Sequence, residues 1–426
     1  MTSPHNSPTP KIILVASLGG SPQPVRTCLE TVKPDFTVFV ATDGSRASIS
    51  NNRTPDSAAQ PPSKPMGAND PTMAALAGDH EILVVPPDEP DSIFAAVKLK
   101  LATLRSRHPE AKIIVDYTGG TKSMSAGMVY AAMSFPGIEL QFMLGKRPDT
   151  NKIEDGTEKP QRMATDLLVA EQLIAEAEAA MRSFDYQVAA EKLKGLHAKA
   201  EIQKFGDAAW RNELQWRARF ASGLHKWDIF DHTGAQKILT DILPATHPLL
   251  FRLERLCADE KEPEIIFDLW LNAMRRAKRG RFDDAVARAY RLVEWTAQWR
   301  FKVELGESTS KFPVEKLPDG YEKKWCLQDQ KVCDLALERA WRVLGGRKNN
   351  SRYGLPVKAK IEPMRKILEK RNFSILAHGF EPVNQQLWEE TVAWIKINII
   401  YLIQRNEDIH LPEQLPAKFS DKCENR

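Results

Sequence analysis

The pattern of apolar residues changes once along the chain, near Met163, and this change limits what the chain can fold into. Before it, short β-branched runs alternate with helical patterns, which is typical of a parallel sheet flanked by helices. After it, Ala, Glu, Leu, Lys and Trp recur at helical spacing and strand patterns nearly vanish. At 426 residues the chain also exceeds what one hydrophobic core usually serves. We therefore expect an α/β domain followed by all-helical domains.

The first third predicts a Rossmann-like α/β domain over residues 1–162. Its strands are expected at 12–16, 37–41, 82–85, 113–115 and 139–143, with helices following from about Pro22, Pro90 and Thr121. The stretch 43–79 is rich in Ser, Pro, Asn and Ala, and its first part predicts a mobile insertion rather than an element. Residues 145–161 predict an exit loop or a hairpin. Charge and proline near 259–263 divide the helical part into a connector, 163–260, and a C-terminal bundle, 261–426.

Composition narrows the class of protein. An apolar fraction of 42% with 27% charged residues is ordinary for a soluble globular protein, and no uncharged apolar run reaches eighteen residues. We therefore expect no membrane span, and with no apolar signal-peptide core before Lys11 we expect a cytoplasmic protein. The five cysteines lack the spacing of a metal site or a disulfide framework. The net charge is only +4, although basic runs at 275–281 and 347–352 form either anion-attracting patches or, as most such runs do, solvated faces.

Two glycine-containing turns follow predicted strands. The motif DYTGGTK at 116–122 lies between an apolar strand and a helix, and SLGG at 17–20 follows the first strand in the same way. Ligands of open parallel sheets bind just beyond the carboxyl ends of the strands, and glycines with a helix N-terminus favour phosphate. Such turns also close βα units without binding anything, but the pair, with Lys122 and its hydroxyls, favours nucleotide binding. The spacing matches neither a P-loop nor a GxGxxG dinucleotide fingerprint.

A second candidate site lies between two strongly helical segments, where Arg371 and His378 are separated by six residues. On a continuous helix they would be offset by about 10 Å, but Gly379 and Pro382 indicate a helix end at which they can approach. Histidine can move protons at a ribose hydroxyl and arginine can neutralise a phosphorane-like transition state, so the pair could cleave RNA without a metal. The alternative is a histidine that caps the helix and an arginine on a solvated face.

The chain resembles CRISPR-associated effectors that join a CARF domain to a HEPN domain. The two glycine turns are similar to those of CARF domains, which sense cyclic oligoadenylates. The segment 281–294, RFDDAVARAYRLVE, together with Arg371, Asn372 and His378, is similar to HEPN ribonucleases, whose motif is Arg, four to six residues, His. The resemblance implies an α/β CARF domain, an all-α connector and an all-α HEPN domain. It also implies an endoribonuclease of type III CRISPR antiviral defence.

The resemblance assigns roles to particular residues and partners. Arg371 and His378 would be catalytic with Asn372 in support, and no metal or cofactor would be needed. A homodimer would bind one cyclic tetra- or hexa-adenylate as allosteric activator and cut single-stranded RNA by 2'-hydroxyl attack. The residues expected to contact the activator are Ser17, Gly19, Gly20, Thr118, Gly119, Gly120, Thr121 and Lys122.

Three other functions stay open. The helical half could be an interaction module without catalysis, or the CARF domain could itself cleave its activator as a ring nuclease. A nucleotide-using metabolic enzyme fits the turns but leaves the Arg and His motif unexplained. Eight tryptophans fall mostly at helical spacing among Leu, Ile and Ala, which predicts core or dimer packing and no contact with RNA. They are Trp210, Trp216, Trp227, Trp270, Trp295, Trp299, Trp388 and Trp394.

Overall fold

The computed structural model describes most of the chain, and its contacts divide into two compact units. The described residues are 10–20, 22–51, 72–145, 157, 159–259, 262–319, 321, 325, 331–346, 364–365, 369 and 379–419. The first unit is Met1–Val169 and the second is Ala170–Arg426. They are called the N-terminal unit and the C-terminal unit below. The predicted division into three domains stays a prediction.

The N-terminal unit is built on a six-stranded sheet. Its strands are β1 (Ile12–Ser17), β2 (Phe36–Ala41), β3 (Asp79–Val84), β4 (Lys112–Asp116), β5 (Glu139–Leu144) and β6 (Lys159–Arg162). They are ordered β3-β2-β1-β4-β5-β6, with every neighbouring pair parallel except β5 and β6. The chain runs outward from β1 to β3 and then returns to β4, so the order reverses between β1 and β4. This topology confirms the predicted Rossmann-like fold class.

Helices and two apolar clusters complete this unit. The helices are α1 (Gln23–Val32), α2 (Ser48–Asn51), α3 (Met73–Ala77), α4 (Pro90–Arg107) and α5 (Lys122–Met133). Alternate residues of the central strands enter different clusters: Ile13 and Val15 pack with α4 and α5, whereas Leu14 and Ala16 pack with α1 and α3. Strand side chains point alternately to opposite faces, so the near-continuous apolar runs reflect a sheet that is buried on both sides.

The structure of the N-terminal unit tests two further predictions, for residues 43–79 and for residues 145–161. The first part of the 43–79 stretch contains the short helix α2, with Ile49 fully buried, so the expectation of no element there is wrong. The segment after β5 returns as β6, with Phe142 opposite Gln161, which confirms the hairpin alternative. Residues 52–71 and 146–156 lie outside the described residues.

The C-terminal unit is helical in the described residues apart from one two-residue pairing. Its helices begin with α6 (Asp166–Arg182), in which the boundary between the units falls. The others are α7 (Tyr186–Gln203), α8 (Ala208–Asp228), α9 (His232–Thr240), α10 (Pro248–Cys257), α11 (Glu264–Lys278), α12 (Phe282–Leu305), α13 (Leu337–Gly346), α14 (Gln385–Ile395) and α15 (Tyr401–Glu407). A π-helical stretch, Lys396–Ile400, joins α14 to α15, and the strands β7 (Phe312–Pro313) and β8 (Val332–Cys333) pair antiparallel.

One apolar core extends through this unit. It includes buried residues from Ala170 on α6 to Leu415 beyond α15, so residues of the predicted connector and of the predicted C-terminal bundle share it. Trp227 and Trp270 are buried in it, as the tryptophan pattern predicts. The helical pattern does break near 259–263, where α10 ends at Cys257 and α11 begins at Glu264. Within the described part of the chain, no helix has the length and apolar character needed to cross a membrane.

Candidate functional site

The two glycine turns lie beside each other where the strand order reverses. β1 and β4 are parallel neighbours, with Ala16 in register with Asp116, so their carboxyl ends reach the same edge of the sheet. The turn at 17–20 follows β1, and the turn at 117–122, which ends with the first residue of α5, follows β4. We call these two turns together the turn pair. In doubly wound sheets such a reversal opens a crevice in which ligands bind.

Gly19 and Gly119 make the contact between the turns possible, and Gly120 fits a tight backbone next to Met124. A Cβ atom on Gly19 would lie 2.4 Å from the backbone nitrogen of Gly120, and one on Gly119 would lie 2.4 Å from the carbonyl oxygen of Ser17. Gly120 also has a φ of +81°, and a Cβ atom there would meet the Met124 side chain. Because all of these distances are below any real Cβ contact, the turns approach this closely only without side chains.

The hydroxyls predicted to contact a ligand are engaged inside the protein. Ser17 is fully buried, and its Oγ donates to the carbonyl oxygen of Gly119 at 2.7 Å. The Thr118 Oγ1 accepts from the backbone N–H of Met143 at 2.8 Å. The Thr121 Oγ1 accepts from the N–H of Met124 at 3.1 Å, which caps α5, and it donates to the carbonyl of Pro87. These hydroxyls therefore hold the turns in shape.

The exposed part of the turn pair suits an anion. Gly20, Gly120 and Lys122 are exposed, and Lys122 begins the twelve-residue helix α5. The first amides of a helix lack acceptors within the helix and carry its positive dipole end. The turn pair therefore combines a helix N-terminus, one lysine ammonium and close backbone approach. All eight predicted ligand residues lie in it, and their roles stay a prediction.

Asp116 is a positioning residue for this site that the sequence prediction left without a role. It is fully buried at the end of β4, where its Oδ1 accepts from the N–H of Thr118 at 3.0 Å. Its Oδ2 accepts from the Gln141 side chain at 3.1 Å, and the same amide contacts the Cys28 sulfur. Burial raises the pKa of Asp116, and the hydrogen bonds from Thr118 and Gln141 oppose that rise. The sequence did contain a signal for this role, because Asp116 lies two residues before Thr118. An aspartate side chain commonly accepts a hydrogen bond from the backbone N–H two residues further along the chain.

The second predicted site falls in a part of the chain outside the described residues. Arg371, Asn372 and His378 all lie outside the described residues, which resume at Gly379. Their assigned roles therefore stay a prediction. The same holds for the basic run at 347–352. Among the described residues no group of three His, Cys, Asp or Glu side chains is placed to hold a metal ion.

The basic run at 275–281 is not a solvated face throughout. Arg275 is fully buried and Arg276 nearly so, and both donate to the carboxylate of Asp228 at 2.7 Å. The Asn272 amide reaches the same carboxylate at 3.0 Å. The surface interpretation of this run is therefore wrong for its first two arginines, because they point into the unit and neutralise a buried acid.

A second buried carboxylate extends this arrangement. Asp268 accepts from Trp227 Nε1 at 3.0 Å, from Arg252 at 2.6 Å and from the His232 ring at 3.1 Å. Burial alone would raise the pKa of Asp268, but the hydrogen bond from His232 and the nearby guanidiniums lower it below its usual range. Asp228, Asp268, Arg252, Arg275, Arg276, His232, Trp227 and Asn272 are called the ionic cluster below.

Comparisons with known proteins address each unit. Residues 254–398 match a family described as the Csm6 HEPN domain, and this range contains Arg371, Asn372 and His378. No curated protein sequence matches the chain. The match confirms the predicted resemblance to HEPN proteins for the C-terminal part.

Solved structures extend the comparison to the whole chain. Csm6 of Enterococcus italicus, bound to cyclic hexa-2'-fluoro-hexa-dAMP, is similar with a TM-score of 0.53 and 11% identity over 94% of this chain and 95% of that one. Two others match with TM-scores too low to bear on the fold. Protein VC1899 from Vibrio cholerae matches with a TM-score of 0.23 and 10% identity, over 51% of this chain and 68% of that one. Can2 from Sulfobacillus thermosulfidooxidans, in complex with cyclic tetra-adenylate, matches with a TM-score of 0.22 and 11% identity, over 54% of this chain and 68% of that one. The fold of this chain is thus similar to that of the Csm6 structure.

Proposed function

We propose that this chain is a ribonuclease activated by a cyclic oligoadenylate, because its fold is similar to that of a Csm6 structure and residues 254–398 match the Csm6 HEPN family. It would act in the cytoplasm, in type III CRISPR defence. The observation that carries the proposal is that the family match includes Arg371, Asn372 and His378, the three residues assigned to catalysis from the sequence.

The turn pair supports the sensing half. It presents two exposed glycines, Lys122 and the N-terminus of α5 at the strand-order reversal, which is a suitable place for the phosphates of a nucleotide ring. The similar Csm6 structure holds a cyclic hexanucleotide analogue. We propose that Gly19, Gly20, Gly119 and Gly120 let the ring approach the backbone. Ser17, Thr118 and Thr121 act mainly by holding the turns.

The proposed reaction uses the RNA as its own nucleophile. The ribose 2'-oxygen attacks the adjacent phosphorus, the bond to the 5'-oxygen breaks, and the products are a 2',3'-cyclic phosphate and a 5'-hydroxyl. His378 would move the proton from the 2'-hydroxyl or to the 5'-oxygen, and Arg371 would neutralise the charge on the phosphoryl oxygens. Asn372 would support this geometry. The step requires a 2'-hydroxyl, so DNA would not be cut.

The proposed active form is a homodimer. Two copies across a two-fold axis would present two arginines and two histidines to one RNA strand. An activator bound to the paired CARF domains can raise activity only if it favours one of two arrangements of the dimer. The proposed partners are therefore a second copy of the chain, one cyclic oligoadenylate and single-stranded RNA.

Replacing the proposed proton-transfer group tests the nuclease. His378→Ala should lower RNA cleavage by at least about a hundredfold, since general acid and base catalysis contributes about 10²–10⁴-fold. Cleavage of labelled single-stranded RNA is measured with cyclic tri-, tetra- and hexa-adenylate, with and without EDTA. Activator binding is measured alongside by calorimetry and should not change.

A matched histidine controls for loss of an imidazole elsewhere. His197→Ala on α7 should cleave RNA as fast as the wild type. Full activity of the His378 variant would refute the assigned role. If the wild type binds an activator but cuts no RNA with any of the three cyclic oligoadenylates, a non-catalytic sensor would instead be favoured. Loss of cleavage in EDTA would refute the metal-independent mechanism.

A further inference from the structure

The described residues that line a groove in the C-terminal unit include none of those assigned to the two predicted sites. Its volume is about 350 Å³, and it is lined by Phe230, Leu269, Ala287, Arg288, Arg291 and Trp295. That volume is within the range of small-molecule sites, roughly 300–1,000 Å³. The groove lies next to the ionic cluster, since Phe230 follows α8 and Leu269 follows Asp268 on α11.

The lining combines an aromatic surface with guanidinium groups. Trp295 is only partly buried, unlike Trp227, and the Arg291 guanidinium lies over its ring at 5.3 Å. Arg291 and Arg288 lie three residues apart on α12, so they project from the same face of that helix. None of the described residues that line the groove is acidic. A ligand that fits must therefore offer a flat apolar surface together with negative charge.

Both groove arginines have a carboxylate partner, and further arginines lie near Arg288. The Arg288 guanidinium bonds to Asp284 and Asn272, and Arg291 bonds to Glu294 at 2.8 Å. Burial and then the charge of Arg276 lower the pKa of Arg288 to about 10, with Asp228 opposing the decrease. Besides its carboxylate partner, Arg288 thus has the guanidiniums of Arg275, Arg276 and Arg281 close enough to act on it, and this local concentration of arginines favours a bound anion.

We propose that this groove binds one nucleotide of the single-stranded RNA substrate, with its base against Trp295 and the Arg291 guanidinium and its phosphate near Arg291 and Arg288. Bases of single-stranded RNA pack on aromatic rings and guanidinium planes in this way. The proposal deepens the proposed ribonuclease function and rests on it. It also revises, for Trp295 alone, the expectation that the tryptophans do not contact RNA.

Binding of an RNA that cannot be cut tests the groove. The probe is a fluorescein-labelled, fully 2'-O-methylated single-stranded oligonucleotide, in which the proposed nucleophile is blocked. Its affinity for the full chain is measured by fluorescence anisotropy at several salt concentrations. Arg291→Ala and Trp295→Leu should each weaken binding about fivefold or more, the lower end of what one stacked base contributes. For Arg291→Ala the slope of log affinity against log salt should fall by about 0.7, as expected for one lost phosphate contact.

Two variants separate the groove from a general effect. Trp295→Phe keeps an aromatic ring and should bind within about threefold of the wild type. Arg219→Ala removes an arginine of similar exposure, 41% against 48% for Arg291, which is likewise paired with a carboxylate. It lies on α8 outside the groove lining and should bind within about twofold of the wild type. Melting temperatures of all variants are measured, and molar masses are measured by light scattering.

Each other outcome overturns a defined claim. Wild-type affinity in Arg291→Ala and Trp295→Leu overturns the groove, as does a loss confined to a Trp295 variant with a lowered melting temperature. A change of molar mass without a change of affinity would make the groove an interface between copies and would also overturn it. If the wild type binds the probe through these residues but cuts no unmodified RNA, the proposed function fails and the groove stands. A wild type that binds no probe overturns the groove, whereas cleavage of unmodified RNA decides the proposed function separately.

Discussion

The turn pair and the ionic cluster are two polar arrangements built in opposite ways. The turn pair depends on backbone atoms that meet because Gly19 and Gly119 have no side chains, and its residues come from two short motifs. The ionic cluster depends on long side chains from α8, α10 and α11 that meet around Asp228 and Asp268. The first leaves exposed groups for a ligand, whereas the second encloses its charges.

The difference shows what each region can tolerate. In the turn pair an added methyl group on Gly19 or Gly119 would collide with backbone atoms, so the turns are sensitive to any increase in side-chain size. In the ionic cluster every member neutralises or hydrogen-bonds another, so loss of one partner leaves the others buried and unpaired. We therefore expect the turn pair to lose ligand binding first and the ionic cluster to lose stability first.

The largest expected effect is on stability, from Asp268→Ala. It removes the acceptor for Trp227, Arg252 and His232 and leaves a buried guanidinium without its carboxylate. Breaking a buried pair in this way costs about 3–5 kcal/mol of the free energy of unfolding. Hydrogen exchange of peptides that cover α11 measures the loss within the C-terminal unit.

Asp241→Ala is the matched control. Asp241 accepts from Arg219 at 2.6 Å, but the aspartate side chain is 61% exposed. An exposed ion pair contributes about 0–1 kcal/mol, so exchange in α11 should hardly change. Equal losses in the two variants would contradict the claim that enclosure makes the cluster sensitive.

The second-largest effect that we expect is a loss of activator binding in Gly119→Ala. The new methyl group would lie 2.4 Å from the Ser17 carbonyl oxygen and would force the two turns apart. We expect calorimetry with cyclic tetra- and hexa-adenylate to show a loss of roughly a hundredfold in affinity, about 2.7 kcal/mol. The C-terminal unit should keep its exchange protection.

Gly195→Ala controls for the change of glycine to alanine. Gly195 lies within α7, and a Cβ atom there meets nothing within 4 Å. Since alanine favours a helix over glycine, this variant should be unchanged in binding and slightly more stable, by about 0.5–1 kcal/mol. Wild-type affinity in Gly119→Ala would mean that the close approach of the turns is not needed by the ligand.

The same contrast explains what the sequence could predict. The turn pair was predictable because each turn is contiguous and the sheet topology then brings the two motifs together. The role of Asp116 could have been inferred from its position before Thr118. The ionic cluster could not be inferred, because its partners are far apart in sequence: Asp228 and Arg275 are 47 residues apart, and Trp227 and Asp268 are 41 apart.

A local pattern also misled where the tertiary environment decides exposure. The run at 275–281 resembles a surface patch in composition, yet Arg275 is fully buried because Asp228 is buried with it. In the same way, helical spacing makes Trp295 and Trp227 look alike, although Trp227 is enclosed and Trp295 lines a groove. Burial on a helix depends on the helices packed against it, and a single sequence does not specify them.

The smallest effect is a difference in pH dependence between the two buried acids. The pKa of Asp116 is raised in the folded protein, so this group favours folding only in acid and costs stability once the pH exceeds its unfolded value of about 3.9. The pKa of Asp268 is lowered, so its contribution is present above the unfolded value and is lost as the pH falls through the folded one.

Asparagine at each position removes the titration. Asp116→Asn should stabilise β4 slightly at pH 7 and lose that gain in acid, whereas Asp268→Asn should destabilise α11 at pH 7 and approach the wild type in acid. Hydrogen exchange of peptides from β4 and α11, compared between pH 4 and pH 7 with correction for intrinsic exchange rates, measures both. If the stability of β4 in the first variant and of α11 in the second changes in the same direction as the pH rises, the two acids respond to burial in the same way. The contrast between the two regions is then wrong for these acids. Opposite shifts would establish that burial outweighs hydrogen bonding at Asp116, whereas the hydrogen bond from His232 and the nearby guanidiniums outweigh burial at Asp268.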